Sequence, residues 1–214
     1  MFYRSAPEGS TSKHEGSIVI AVIDYGAGNL RSVTNLLDSF DAKYRVVDSA
    51  DGLTGSSHIV LPGVGHFGQI CRAFERLSLG EALIEEIRIG TPYLGICLGM
   101  QVLFESSEEA PDQKGLGILS GSVRKLEAEV RIPHMGWNTL DGDATSALCS
   151  QQAGQFAYFA HSYFCPVSNI TVRSTTHGST FSSVIENENV FGVQFHPEKS
   201  GALGISLLQK FVLL

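Results

Sequence analysis

The sequence predicts an α/β fold with a mainly parallel central sheet flanked by helices, and three observations carry that prediction. Short, continuously apolar runs recur through the first half of the chain, bounded by turn residues. They lack the in–out alternation of a half-exposed strand, as expected where both faces of a sheet are covered. Amphipathic stretches alternate with them, the pattern of parallel strands joined by crossover helices.

The elements follow in order. IVIAVID (residues 18–24) is the first buried strand, and the turn YGAGN leads into a helix over 30–40, where Leu30, Val33, Leu37 and Phe40 recur at helical spacing. YRVVD (44–48) and HIVLP (58–62) are two more short strands. Helices are expected within 67–77 and over 81–89, a buried strand at 92–96, and a helix over 98–104. Beyond about residue 105 the pattern changes. SVRKL, AYFAHSYF, ITVRST, SSVIEN and VFGVQFH read as additional antiparallel strands, joined to the same sheet or forming a second small one. Residues 144–154 are polar enough for a surface loop, and a closing helix over 203–212 offers Leu207, Leu208 and Phe211 for packing.

Residues 1–17 contain four serines, two glycines and a proline, with balanced charges and few apolar groups. They are expected to be a disordered extension, without the apolar stretch of a signal peptide, leaving 18–214 as one domain. Composition narrows the function. Hydrophobic residues make up 43%, enough for a core. Lys+Arg number 15 against 22 Asp+Glu, a net charge of −7, which argues against a nucleic-acid partner. No apolar span is long enough for a membrane helix. Four cysteines, Cys71, Cys97, Cys149 and Cys165, include no C-x-x-C pair and are too sparse for a disulfide scaffold. Reduced thiols in a cytoplasmic protein are the expectation.

Cys97 alone has a chemical setting. Gly95-Ile96-Cys97-Leu98-Gly99 lies where a buried strand meets a helix and has the form of a nucleophile elbow, with Cys in place of Ser. Glycines on both sides relieve the crowding of a side chain thrust from a sharp turn. The start of a helix puts unpaired N–H groups near the sulfur and favours the thiolate. The Leu98 N–H then supplies half an oxyanion hole. Cys71, Cys149 and Cys165 have no such context and read as small buried hydrophobes.

A cysteine nucleophile needs a base, and the base an orienting group. The strand FGVQF ends directly at His196-Pro197-Glu198. Pro197 holds His196 extended, so Glu198, two residues on, points to the same side and can fix the imidazole. A further segment, Pro62-Gly63-Val64-Gly65, follows a strand, and its glycines let the Val64 amide approach a ligand closely or flip. It is the candidate for the second oxyanion donor. His134 and His161 lack metal-ligand spacing, so neither a metal nor a cofactor is expected. Trp137, the only tryptophan, lies in a glycine-containing stretch expected to be a loop, where core and interface are both open.

Together GICLGMQ, PGVGHF and FHPE resemble the nucleophile, oxyanion and His/Glu motifs of the class I (triad) glutamine amidotransferases, which have a flavodoxin-like sheet. DYGAGNLRSV (24–33), PHMGWN (133–138), HSYF (161–164) and FHPEKS (195–200) narrow the resemblance to glutaminase subunits of imidazole glycerol phosphate synthase, from about residue 18 to the end of the chain. Phe164 departs from that pattern.

The resemblance implies glutamine hydrolysis through Cys97, His196 and Glu198. Val64 and Leu98 would form the oxyanion hole, and Gly63, Gly65, Gln101, Ser162 and Tyr163 would bind glutamine. Asn29, Trp137 and Lys199 would face a TIM-barrel cyclase in a heterodimer that uses the ammonia in histidine biosynthesis. Alternatives are the glutaminase of another synthase, which PHMGWN disfavours, a cysteine peptidase or esterase on a similar scaffold, and a non-catalytic binding subunit.

Overall fold

The computed structural model describes residues 18–26, 29–127, 129–149 and 154–214. The expected disordered extension, 1–17, lies outside them. Four parallel strands open the chain: β1 (Ile20–Ile23), β2 (Tyr44–Val47), β3 (His58–Leu61) and β4 (Tyr93–Ile96). The helices between them are α1 (Leu30–Asp38), α2 (Phe67–Leu77) and α3 (Leu79–Arg88). A short α4 (Leu98–Gln101) follows β4. The second half contributes β5 (Phe104–Ser107), β6 (Leu119–Lys125), β7 (His134–Leu140), β8 (Gln155–His161) and β9 (Tyr163–Phe164). It closes with β10 (Thr171–His177), β11 (Ser179–Asn187), β12 (Val190–Val193) and α5 (Gly201–Val212).

Among the described residues the main sheet has seven strands in the order β10-β11-β12-β4-β3-β1-β2. The run from β12 to β2 is parallel, and β11 and β10 add antiparallel at one edge. The apolar runs are explained by two cores, one on each face. Ala21, Ile23, Ile59 and Leu61 pack with Ile70, Phe74 and Leu83 of α2 and α3. Ile20, Val22, Val60 and Leu94 pack with Val33 and Leu37 of α1 and Leu207, Leu208 and Phe211 of α5. Successive strand residues point to opposite faces, so a strand that serves two cores is apolar along most of its length, with His58 at the start of β3 a buried exception packed on Phe211.

Both alternatives for the later strands occur. β10 and β11 extend the main sheet, while β5, β6 and β9 form a three-stranded sheet and β7 with β8 a two-stranded one. Several boundaries differ from the sequence reading. The helix expected over 98–104 stops at Gln101, because Phe104 enters β5 and pairs with Leu119. The PHMGWN stretch is a strand rather than a loop, paired residue by residue with β8. AYFAHSYF is broken at Ser162, whose carbonyl accepts from Leu126 N at 2.9 Å. The expected polar loop over 144–154 buries Leu148 and Cys149 against the α1/α5 core.

The site follows from which strand ends adjoin. Ile96 pairs with Val193, Leu61 with Gly95, and Val22 with Val60. The residues just beyond β12, β4, β3 and β1 therefore emerge side by side at one edge of the sheet, the usual place for a site in open α/β folds.

Candidate active site

Cys97 follows β4 directly. Its backbone has φ 53° and ψ −106°, a conformation that side chains rarely adopt, and its N–H donates to Val193 O at 2.7 Å. Glycine is required around it because the turn is packed backbone against backbone. A Cβ on Gly99 would stand 2.1 Å from Leu61 O, and one on Gly63 2.3 Å from Gly99 N. The sequence reading places unpaired amides and a helix dipole at the sulfur. α4 has only four residues, so the local N–H groups outweigh any macrodipole.

His196 lies three residues beyond the end of β12, not at its last position. Beyond the strand Gln194 stays beside β11, its N donating to Ser183 O at 2.9 Å, and His196 turns to β8, its N donating to Tyr158 O at 2.8 Å. Ser200 Oγ donates to His196 O at 2.7 Å and accepts from Tyr158 N at 3.0 Å, tying the histidine backbone to β8. His196 itself is extended, but Pro197–Lys199 form a 3₁₀ turn instead of the expected extended path. The turn still brings Glu198 Oε1 to 2.8 Å from His196 Nδ1, with both side chains buried. Asn29 Nδ2, grouped by sequence with the partner-facing residues, donates to the same carboxylate oxygen. Asn29 reaches it from the start of α1, in the left-handed conformation.

Burial works to lower the pKa of His196. Hydrogen bonds to Cys97 and Glu198, and their charges, outweigh it and raise the pKa to about 10. The imidazole thus keeps its proton at neutral pH, facing the sulfur on one side and the carboxylate on the other. Gln194 Nε2 donates to Cys97 Sγ at 3.5 Å, and Gln194 Oε1 accepts from Gln101 Nε2 at 3.0 Å. Among the other thiols, burial pushes Cys71 up to about 11, Cys149 up, and Cys165 well above its ordinary range.

These groups border a cavity of about 340 Å³, lined in part by Val64, Gly65, Cys97, Leu98, Gln101, Ser162, Tyr163, His196 and Lys199. Gly63 packs behind it, beneath Leu98. Gln101 is buried, and its Nε2 also donates to Tyr163 O at 2.8 Å, fixing that wall. A cavity of about 380 Å³ beside Cys71, Phe74 and Lys114 is slightly larger. Among the described residues no histidine stands beside that thiol, so the chemistry selects the Cys97 cavity.

The far wall is a neutral histidine pair. His161 Nδ1 lies 2.9 Å from Tyr163 O, and His134 Nδ1 lies 3.0 Å from His161 Nε2. A carbonyl can only accept, so His161 carries its proton on Nδ1 and receives at Nε2. His134 must then donate from Nδ1, and its Nε2 accepts from Asn138 Nδ2 at 3.2 Å. Burial first, then the neighbouring imidazoles, lower His134 to about 4 and His161 to about 3, against the bond to Tyr163. No group of three or more His, Cys, Asp or Glu suited to a metal ion occurs among the described residues.

The outer face of the β7–β8 hairpin is apolar. Met135, Trp137 and Phe156 are 65%, 56% and 59% exposed. Lys199 lies over the Tyr158 ring, 5.4 Å from its centre, beside this face. Trp137 is thus on the surface, not in the core. Sequence reasoning missed Tyr25, Gln194 and the hydrogen-bonding role of Asn29. A polar Gln194 two positions before His196 in an apolar strand was the one available signal.

Comparisons with known proteins agree on one family. The model of the glutamine amidotransferase class-I family matches residues 21–214. The chain is 42% identical over 196 residues to imidazole glycerol phosphate synthase subunit HisH of Oceanobacillus iheyensis, covering 90% of this chain and 98% of that protein. It is 41% identical over 208 residues to the Deinococcus radiodurans HisH, covering 94% and 96%. Among solved structures, PurLQS from Thermotoga maritima superposes with a TM-score of 0.74 at 19% identity, covering 92% of this chain and 99% of that one. A putative GMP synthase protein from Thermoplasma acidophilum gives 0.71 at 18%, covering 93% and 94%. At such identities these two speak to the fold alone. Among the described residues, no helix is long and apolar enough to cross a membrane.

Proposed function

The chain belongs to the class-I glutamine amidotransferases, among the imidazole glycerol phosphate synthase subunits HisH, and from that premise we propose the residue roles and the partner by which it works. It hydrolyses glutamine to glutamate and ammonia and passes the ammonia to a TIM-barrel cyclase, in the cytoplasm. The cyclase then forms imidazole glycerol phosphate and an aminoimidazole carboxamide ribonucleotide. The observation that carries the assignment of residues is the unbroken chain from Cys97 through His196 to Glu198 at a glycine-packed turn.

Cys97 Sγ attacks the side-chain amide carbon of glutamine. The amide oxygen takes up negative charge and is held by the N–H groups of Leu98 and, when turned inward, Val64. Collapse breaks the C–N bond, and His196 gives its proton to the leaving ammonia. The resulting thioester is opened by water, whose proton goes to His196, and glutamate leaves as the sulfur is released. Glu198 keeps His196 in the tautomer and orientation this needs, and steadies its charge throughout. Gly63, Gly65, Gln101 and the Ser162–Tyr163 backbone shape the glutamine subsite. The apolar face of Met135 and Trp137, with Lys199 at its edge, docks the cyclase; Asn29 bonds Glu198, the residue before Lys199.

A pull-down with the cyclase followed by a coupled glutamine assay tests this reading. Co-purification and glutamine-dependent product, with glutamate release slower from the chain alone, are expected. Full glutaminase activity without a partner would show that the Val64 amide needs no partner to turn inward, and product formed with neither glutamine nor added ammonia would remove the assigned reaction.

A further inference from the structure

Tyr25 lies two residues past the end of β1, buried, with its ring edge-on to Phe74 at 6.4 Å. Its hydroxyl takes both main-chain polar groups of one residue. Tyr25 Oη donates to Val64 O at 3.0 Å and accepts from Val64 N at 3.2 Å. Val64 borders the Cys97 cavity, and Gly63 before it packs against Leu98 and Gly99. An amide has one hydrogen. While that hydrogen is directed at Tyr25, an oxygen bound above Cys97 meets the N–H of Leu98 but not that of Val64.

We propose that the Tyr25 hydroxyl is a latch that holds the Val64 amide away from the oxyanion hole, making Tyr25 a positioning residue that sets the resting glutaminase rate. The inference rests on the reading of Val64 as the second oxyanion donor. The segment is built to have two states. Turning the Gly63–Val64 peptide changes ψ of Gly63 and φ of Val64, and Gly63 has no Cβ to oppose it. The Val64 carbonyl belongs to the next peptide, so it can keep its bond to Tyr25 while the N–H swings away. Opening then costs one hydrogen bond. Burial, with Cys97 and Asp24 nearby, pushes the phenol up to about 12 against the Val64 contact, so the hydroxyl remains a donor through the neutral range. A partner opens the latch if its docking favours the inward amide, since a ligand shifts an equilibrium only by its preference for one state.

Tyr25→Phe keeps the ring and removes the latch. Steady-state glutamate release by the variant alone is expected to rise about 10-fold in kcat with KM unchanged, the factor set by one ordinary hydrogen bond. The ceiling is about 10²–10³, the worth of one oxyanion donor. The variant's rate in the cyclase complex should match wild type, which also reports that the chain is folded. An unchanged or lower kcat alone, with the complex rate preserved, overturns the latch. Absence of glutamate release from the wild-type complex overturns the glutaminase reading and the latch with it. Should the variant lose its fold, the wild type still decides. Its Val64 amide resonance is expected to move when cyclase and glutamine bind, and an unmoved resonance overturns the proposal.

Discussion

His196 and His161 border the same cavity and are 2% and 6% exposed, yet their surroundings drive them apart. Burial acts downward on both. For His196 it is outweighed by Cys97 and the enclosed Glu198 carboxylate, and the imidazole holds its proton up to about pH 10. For His161 the partners are another imidazole and a carbonyl, and the pKa falls to about 3. The deciding factor is whether a charge lies across the hydrogen bond. One wall of the cavity thus stores a proton for the leaving group. The other is a neutral strut that fixes the Tyr163 carbonyl jointly with Gln101.

The comparison can be broken most severely at its charged end. Cys97→Ala is expected to cut glutamate release by at least about 10⁴-fold, the scale of losing a nucleophile. The cyclase reaction driven by free ammonia should continue, because the ammonia user is on the other chain. Retained turnover in a glutamate assay would show that the nucleophile lies elsewhere. Glu198→Gln keeps the shape and removes the charge. It is expected to lower kcat of the complex by about 10²–10⁴-fold, as when a triad loses its orienting carboxylate. The His196 pKa should fall at the same time, read from the pH profile; an unmoved profile would mean the carboxylate does not hold the proton.

The neutral end predicts a smaller effect, on stability. His134 and His161 are lowered from 6.5 to about 4 and about 3, so between those values and 6.5 the unfolded chain binds protons the folded chain does not. Their neutral state is therefore favoured by folding above about 6.5, and that stability is lost as pH falls through this window. His196 has the opposite sign, with a contribution present below 6.5 and lost as pH rises through about 10. The double variant His134→Leu, His161→Leu should flatten the fall in thermal midpoint below about pH 6.5. An equally steep fall would assign the acid sensitivity to other groups.

What was legible in the sequence divides along the same line. The parallel strands and the elbow at Cys97 are local patterns: continuous apolar runs, and glycines beside a cysteine. His-Pro-Glu is also local, and its contact forms, although through a 3₁₀ turn and not an extended segment. The hydrogen bonds of Asn29 and Tyr25 are not local. Asn29 reaches Glu198 across 169 residues and Tyr25 reaches Val64 across 39, because β1, β3, β4 and β12 end side by side. That adjacency is a property of strand order, which periodicity does not encode. The end of α4 at Gln101, short of the expected 104, has a related reason. Val102, Leu103 and Phe104 suit a helix or a buried strand equally, and pairing of Phe104 with Leu119 decides it.

The most direct test of the account is a nitrogen-15 NMR titration of the histidine rings in the wild-type chain. It predicts His196 as imidazolium at about pH 8, with His134 and His161 still neutral at about pH 5.5, each with a single assigned tautomer. A neutral His196 at about pH 8 would contradict it, because the proton assigned to the leaving ammonia would not be there.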